Sequence, residues 1–310
     1  MTGAAVAVEG LAFSYGDRKV LSEVGFEVAP GEVFGIVGAD GAGKSTLLRV
    51  LIGQLEPAAG SVRVLGLPPT DPQLRATIAY MPQSFGQYLD LSVQENLEFF
   101  AALHGLVGSE AAALIADLVA RAGLRGFEDR RAGQLSGGMM QKLALACALV
   151  SRPRVMFLDE PTTGVDPVSR RAFWQLIQAV RADGVAIVWA TANMQEAESC
   201  DRVATIENGH LLRQGRPADL VRAVEAKLLL VTGEGLRASV GALAATPEVD
   251  FAFPVGQQVK LWLKAGADVA ALRASLEQRW PGALVEDATP GLHDVALREL
   301  ALAEREHHHA

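Results

Sequence analysis

Short apolar stretches separated by turn signals fill the first part of the chain. Val6–Val8, Ala12–Tyr15, Lys19–Leu21 and Gly25–Val28 alternate or run apolar between the turns Gly16-Asp17 and Pro30-Gly31, and they predict strands. Val33–Val37 is apolar throughout, as expected of a strand buried on both faces, and it runs into a glycine-rich loop. Leu47–Ile52 continues at helical spacing, and Gly53 stands where a helix-ending residue belongs. Val62–Leu65 and Thr77–Met81 read as further strands.

The pattern changes over about 85–150. Ser92 with Glu95 is a capping-box pair that opens a helix through Leu103. Glu110–Ala122 predicts a second helix, closed by Gly123, and Leu135–Val150 a third. These read as a helical subdomain inserted into an α/β pattern. That pattern resumes with the strand Val155–Leu158. Asp166-Pro167 then joins an N-cap to proline at the first helical position, starting a helix to about Arg181. Val185–Trp189 and Val203–Glu207 follow as strands, and Asn208-Gly209 predicts a tight hairpin into Leu211–Arg213.

A boundary near 222–227 divides the chain into a domain over 1–224 and a smaller one over 225–310. The smaller one reads Leu228–Val231, Arg237–Leu243, Phe251–Phe253, Val259–Leu263, Val269–Arg279 and Leu284–Glu286. This βαββαβ order predicts a ferredoxin-like α+β domain. It carries no phosphate loop, so a regulatory or accessory role is expected.

Composition narrows the choice. The 310 residues suit two domains. Lys and Arg number 28 against 36 Asp and Glu, a net charge of −8, which excludes a main grip on nucleic acid through a basic surface. Cys147 and Cys200 alone make no disulfide scaffold and fit a reducing compartment. The start, MTGAAVAVEGLAFSYG, lacks the basic and apolar parts of a secretory signal. No run approaches the ~18 apolar residues needed to cross a bilayer, so a membrane role calls for a separate spanning partner. The terminal His307-His308-His309 has no second ligand cluster, and no metal site is expected there.

Three motifs carry chemistry. Gly38-Ala39-Asp40-Gly41-Ala42-Gly43-Lys44-Ser45-Thr46 satisfies G-x-x-x-x-G-K-[ST] between a strand and a helix. Its glycines let successive backbone N–H groups face a phosphate at a helix N-terminus. Lys44 is placed to reach the β- and γ-phosphates, and Ser45 to bind Mg²⁺. Val155-Met156-Phe157-Leu158-Asp159-Glu160 is an apolar strand ending in two carboxylates. After a phosphate loop these suit a Mg²⁺ ligand, Asp159, and a general base, Glu160. Leu135-Ser136-Gly137-Gly138-Met139-Met140-Gln141 presents a hydroxyl and open N–H groups before an apolar helix; by chemistry alone it is equally an ordinary N-cap.

In their order and spacing, GADGAGKST, LSGGMMQ and VMFLDEP resemble the nucleotide-binding subunit of an ABC transporter. The resemblance covers about 5–220. It implies a P-loop NTPase, RecA-like α/β core with an antiparallel β subdomain and a helical subdomain, and it implies ATP and Mg²⁺. Tyr15 stands where the family stacks an aromatic on adenine. Gln83, in Tyr80-Met81-Pro82-Gln83, resembles the Q-loop glutamine that touches Mg²⁺ and the attacking water. Gly164-Val165-Asp166 resembles the D-loop. The family further implies a head-to-tail dimer with a second ABC ATPase domain, in which Ser136 faces the partner's phosphate loop. It implies polytopic membrane permease subunits and a place at the cytoplasmic face of the cell membrane. DLSVQENL, MQEAESCDRVATIENG and GLHDVALREL resemble the ABC-2 exporter branch.

Two positions depart from the family pattern. Asp40 replaces the common asparagine, with little effect expected if its side chain points away. More consequentially, the run from Ala190 to Glu198, ATANMQEAE, places Ala192 where the switch histidine belongs; a one-residue slip gives Asn193. None of His104, His210, His293 or the terminal three can serve there. The expectation is a chain that binds ATP well and hydrolyses it slowly. Two alternatives stay open at this level: a regulatory, non-hydrolysing half of a heterodimer, and a soluble ABC ATPase without a transport role. A GTPase is excluded, because no Asn-Lys-x-Asp base-reading motif is present.

Overall fold

The computed structural model describes residues 3–84 and 86–309, without the side chains of Leu300 and of 303–309. The expected start of the helical subdomain, at residue 85, and the terminal histidine side chains lie outside the described residues. Two compact units divide at Arg216/Pro217, ahead of the expected boundary at 224/225.

The first unit runs β1 (Val6–Tyr15), β2 (Arg18–Val28), β3 (Val33–Val37), α1 (Lys44–Leu51), β4 (Ala59–Val64), β5 (Ile78–Met81), α2 (Val93–Leu103), α3 (Gly108–Arg121), α4 (Gly137–Leu149), β6 (Val155–Asp159), α5 (Pro167–Ala182), β7 (Ala186–Thr191), α6 (Met194–Ala197), β8 (Arg202–Glu207) and β9 (His210–Gly215). A six-stranded sheet has the order β5-β6-β7-β3-β8-β9, parallel except for β9. An antiparallel sheet has the order β2-β1-β4. Every residue of β3, β6 and β7 is buried, which explains their apolar runs up to Asp159 and Thr191 at the ends of β6 and β7. Phe26 of β2 stacks on Phe34 of β3 at 4.9 Å and joins the two sheets through one core. Helices α2, α3 and α4 enclose a separate core around Leu97, Ile115, Leu118 and Leu143.

Some boundaries differ from the sequence reading. Four expected N-terminal strands are two, because register shifts at Val8/Leu11 and Leu11/Phe13 carry the β1–β2 ladder across the breaks in alternation. Helix α1 starts at Lys44, earlier than its apolar positions indicate, because the loop feeds it directly. Ser136 is the N-cap of α4, which leaves Leu135 in extended backbone. The capping box opens α2 as expected: Ser92 Oγ accepts from the Glu95 N–H at 3.1 Å, and the Ser92 N–H donates to Glu95 Oε2 at 2.7 Å.

The second unit comprises α7 (Pro217–Arg222), β10 (Leu228–Thr232), α8 (Val240–Ala244), β11 (Val249–Val255), β12 (Gln258–Leu263), α9 (Val269–Arg279), β13 (Leu284–Ala288) and α10 (Leu292–His309). Its antiparallel sheet, ordered β11-β12-β10-β13, with α8 and α9 as connections, is the ferredoxin-like arrangement. Helix α10 was not expected. Leu292, Val295 and Ala296 bury one face of it, and it packs on α7. Buried Asp294 accepts from Lys260 Nζ at 2.7 and 2.8 Å and from the Gly291 N–H at 2.9 Å.

The turn between β8 and β9 fixes the first unit. Asn208 and Gly209 both adopt positive φ, 46° and 80°, as a two-residue hairpin demands. Gly209 carbonyl accepts from the Ser22 N–H at 2.9 Å, and its own N–H donates to Ala42 O at 3.1 Å. The turn thereby ties β2 to the phosphate loop. A Cβ on Gly209 would stand 2.0 Å from Val20 O. Gly209→Ala is expected to destabilise the chain by roughly 3 kcal/mol, through overlap added to left-handed strain. Denaturant unfolding checks this; an unchanged midpoint would refute the clamp.

Candidate nucleotide site

Parallel strands bring their C-terminal ends to one edge of a sheet, where ligands of α/β folds collect. Here β3, β6 and β7 deliver the loop 38–43, the carboxylates Asp159 and Glu160, and the segment after Thr191 to that edge. The loop is fastened on several sides. Gly38 N–H donates to Thr191 O at 3.3 Å, Ala42 N–H to Ala39 O at 3.2 Å, and Ala42 O holds the Gly209 turn. Helix α1 begins from Gly43, at φ 108°, with no side-chain cap and no acidic residue in its first turn. Its leading N–H groups and its dipole therefore favour an anion. A Cβ on Gly41 would meet nothing within 4 Å, so the loop's outer face is open.

Lys44 is 5% exposed. Its ammonium donates to Gly38 O at 2.8 Å and Ala39 O at 3.0 Å. It lies 3.2 Å from Glu160 Oε1, which accepts no hydrogen bond although it is buried. Glu160 adopts φ 49°, donates its N–H to Ala190 O at 2.9 Å, and accepts from Thr163 Oγ1 at 3.1 Å. A phosphate would replace both loop carbonyls and carboxylate as the partner of Lys44, so the donor set fits one. Asp40 lies 4.0 Å from Lys44, and its side chain is 96% exposed, turned outward as expected.

Asp159 is 2% exposed. Ser45 Oγ donates to its Oδ1 at 2.9 Å, and the Tyr80 hydroxyl to its Oδ2 at 3.2 Å. Burial first, and then the Asp159 charge, push the Tyr80 phenol up to about 12, with Arg49 opposing. Arg49 is itself held above its usual range, chiefly by its hydrogen bond to Tyr15 and also by Tyr80, against burial. Among the described residues no cluster of three or more His, Cys, Asp or Glu side chains could hold a metal. One hydroxyl and one carboxylate, completed by phosphate oxygens and water, is nevertheless the donor set that suits Mg²⁺.

A cleft of about 410 Å³ gathers Tyr15, Asp40, Gly41, Gly43, Lys44, Ser45, Thr46, Gln83 and Glu160. Gly38, Ala42 and Asp159 stand behind its wall. Arg18 and Val20 also line it, and the sequence reading missed them. The signal was available, since the Gly16-Asp17 turn pairs Arg18 directly with Tyr15. Tyr80 and Arg49 were missed as well; single polar residues on a strand and a helix give no pattern. A larger cleft, about 570 Å³, lies beside Pro30, Arg154 and Val185 and holds none of the motif residues.

Ser136, Gly137 and Gly138 do not line the 410 Å³ cleft. Ser136 Oγ accepts from the Met139 N–H at 3.3 Å. A Cβ on Gly137 would meet nothing, whereas one on Gly138 would stand 2.4 Å from Ser169 Cβ and Oγ. Gly138 thus permits close packing of α4 against α5, and Gly137 leaves backbone open. Asp166 caps α5 by accepting from the Val168 and Ser169 N–H groups at 3.0 and 2.9 Å. The Ser169 hydroxyl first, and then these backbone N–H bonds, hold its carboxyl below the usual range.

Neither Ala192 nor Asn193 lines the cleft, and no histidine does. Ala192 is exposed, and the Asn193 side chain accepts from the Gln195 N–H at 2.9 Å as the cap of α6. Nearby Glu196, also missed from sequence, is buried. It accepts from Thr191 Oγ1 at 2.6 Å, from Trp189 Nε1 at 3.2 Å and from Thr162 Oγ1, with Arg170 Nε at 3.5 Å.

Comparison with known proteins agrees with this site. The family model for the ABC transporter matches residues 21–163. The chain is 39% identical over 300 residues to the probable multidrug ABC transporter ATP-binding protein YbhF of Escherichia coli, covering 95% of this chain but 52% of that protein. It thus spans about half the length of that relative. It is 35% identical to the Nod factor export ATP-binding protein I of Rhizobium etli, over 92% of this chain and 90% of that one. Among solved structures it resembles cbiO1 of Clostridium perfringens, part of the ABC transporter complex cbiONQ, at TM-score 0.66 and 28% identity over 71% of this chain and 94% of that one. It also resembles the ATP-binding cassette MJ0796 in a dimeric, post-hydrolysis state bound to ADP and Pi, at TM-score 0.61 and 25% identity over 68% and 98%. Among the described residues no helix is long and apolar enough to cross a membrane. Its phosphate loop, paired carboxylates and matching relatives place the chain in the family of ABC transporter ATP-binding proteins.

Proposed function

We propose that this chain is the ATPase subunit of an ABC-2 type exporter, binding Mg²⁺ and ATP and driving separate polytopic membrane subunits from the cytoplasmic face. The observation that carries the reading is the convergence of Lys44, Ser45, Asp159 and Glu160 at one sheet edge, behind a cleft with Tyr15 at its side. The names of the relatives, multidrug and Nod factor export, support the outward direction.

Each residue has a role in that reading. Tyr15 stacks on the base. The N–H groups from Gly41 to Thr46 and the Lys44 ammonium hold the phosphates, with Gly38 and Ala42 shaping the loop. Ser45, Asp159 and Gln83 hold Mg²⁺, which neutralises phosphate charge. Glu160, released from Lys44, takes a proton from the attacking water. Ser136 and Gly137 face outward, with Gly138 packed behind them on Ser169, and complete the site of a second ABC ATPase domain in a head-to-tail dimer. The unit after Arg216 regulates or dimerises. The position of Ala192 favours a second reading of the same site, in which the chain binds ATP but hydrolyses slowly and serves as the weak half of a hetero-pair.

Lys44→Ala is expected to abolish most binding of a fluorescent ATP analogue, because the phosphates lose a charge-assisted partner. Unchanged affinity would remove the phosphate-loop assignment. Glu160→Gln is expected to retain binding, to lose hydrolysis and to accumulate a dimer in size-exclusion chromatography with Mg-ATP. Turnover at the parent rate would exclude Glu160 as the base. Ala192→His is expected to raise steady-state ATPase by up to about 10²–10³-fold, the usual worth of one preorganised donor to transition-state charge. A parent that already turns over briskly, with no gain from the histidine, would end the weak-site reading.

A further inference from the structure

Asp159 poses an orientation problem. A buried carboxylate accepts and never donates, and a single hydrogen bond to one oxygen leaves its plane free to swing. Ser45 supplies that single bond, to Oδ1. Ser45 is also the hydroxyl whose lone pairs would face the cation, so its only proton is already committed.

We propose that Tyr80 is a positioning residue for the divalent cation: its hydroxyl fixes the second oxygen of Asp159, and Arg49 sets the direction of that hydrogen bond. This rests on the nucleotide reading given above. The Tyr80 hydroxyl donates to Asp159 Oδ2 at 3.2 Å, so the two oxygens are held by donors from two different elements. Tyr80 comes from β5, beside β6 in the parallel sheet, with Tyr80 opposite Phe157. Arg49, on the same helix as Ser45, acts on the Tyr80 phenol against the upward push of burial and of Asp159. A guanidinium has donors only, so it occupies the phenol oxygen as acceptor and leaves the phenol proton for Asp159.

The helix makes this convergence possible. Ser45 and Arg49 are four residues apart on α1 and share a face, so one meets Asp159 while the other meets Tyr80. Tyr15, which lines the cleft, is the chief influence raising Arg49 above its usual range. One guanidinium therefore braces both the aromatic assigned to the base and the carboxylate assigned to the cation. Gln83 follows two residues after the end of β5 and lines the same cleft.

Loss of a group that holds a metal ligand typically costs about 10–100-fold in metal affinity. Tyr80→Phe keeps the ring and removes only the hydroxyl. The test titrates Mg²⁺ into the full chain carrying a fluorescent ATP analogue, and measures analogue affinity separately in EDTA. The expected result is a Mg²⁺ midpoint raised by about tenfold or more, with EDTA affinity within about twofold of the parent. Arg49→Met, at an exposed position, is expected to shift the midpoint in the same direction, and the double variant no further than Tyr80→Phe. Should Tyr80→Phe fail to fold, Arg49→Met carries the test, with its Mg²⁺ midpoint read relative to its own EDTA affinity because Arg49 also acts on Tyr15. Midpoints that superimpose on the parent's, in a parent that binds the analogue and responds to Mg²⁺, overturn the positioning role and leave the nucleotide reading standing. A loss of EDTA affinity equal to the loss in Mg²⁺ also overturns it, since the effect is then on the nucleotide. A parent that binds no analogue overturns the nucleotide reading, and this inference with it.

Discussion

A positive charge at the head of α1 sets the terms for the rest of the first unit. An unpaired ammonium withdrawn from water is costly, and Lys44 at 5% exposure needs full compensation. Two loop carbonyls and Glu160 supply it. Those carbonyls point inward only because the loop is fastened at Gly38 to β7 and at Ala42 to the Gly209 turn. Glu160 reaches the ammonium only because β6 ends beside β7, where Ala190 O takes its N–H. The buried apolar strands thus serve a polar purpose, delivering fixed charges to one edge. The pair is weak evidence of stability, since burial offsets its attraction. On the proposed reading, a phosphate exchanges for Glu160 at Lys44 and frees its carboxylate for proton transfer.

The LSGG segment lies apart from this charge pair. Ser136 and Gly137 are exposed, while Gly138 is pressed on Ser169 in the first turn of α5. That turn is capped by Asp166, the residue that resembles the D-loop aspartate. The LSGG loop and the D-loop are therefore joined by a contact that no side chain larger than hydrogen fits at position 138. Whatever meets one of them meets a surface already set by the other.

Much of this was legible in the chain. The strands β3, β6 and β7 announced themselves because burial on both faces leaves them apolar until Asp159 and Thr191 at the ends of β6 and β7. The capping box of α2 and the Asn208-Gly209 turn were readable because their chemistry is local. The merged β1 and β2 were not, since bulges preserve a ladder while breaking its alternation. Helix α10 escaped because its anchor is long-range: Asp294 needs Lys260, 34 residues earlier in the chain. Tyr15, Lys44, Gln83 and Glu160 do meet in one cleft. Tyr80, Arg49 and Glu196 were silent, because a lone polar residue in an apolar or amphipathic run acquires meaning only when topology supplies its neighbour.

Glu196 shows what holds the segment where the family has its histidine. Its carboxylate accepts from Thr191 at the end of β7, from Trp189 within that strand and from Thr162 after β6. Thr191 O in turn takes the Gly38 N–H of the phosphate loop, and Thr191 Oγ1 takes the Asn193 N–H at 2.9 Å. The backbone on both sides of Ala192 is therefore fixed by bonds in which the Ala192 side chain has no part. Three strand ends stay in register whichever residue stands at 192. On the proposed weak-site reading, the alanine costs a donor and not the backbone around it. On that reading the deficit lies in the reaction step, while the grip of the loop and Lys44 on the phosphates is left to the same contacts as before.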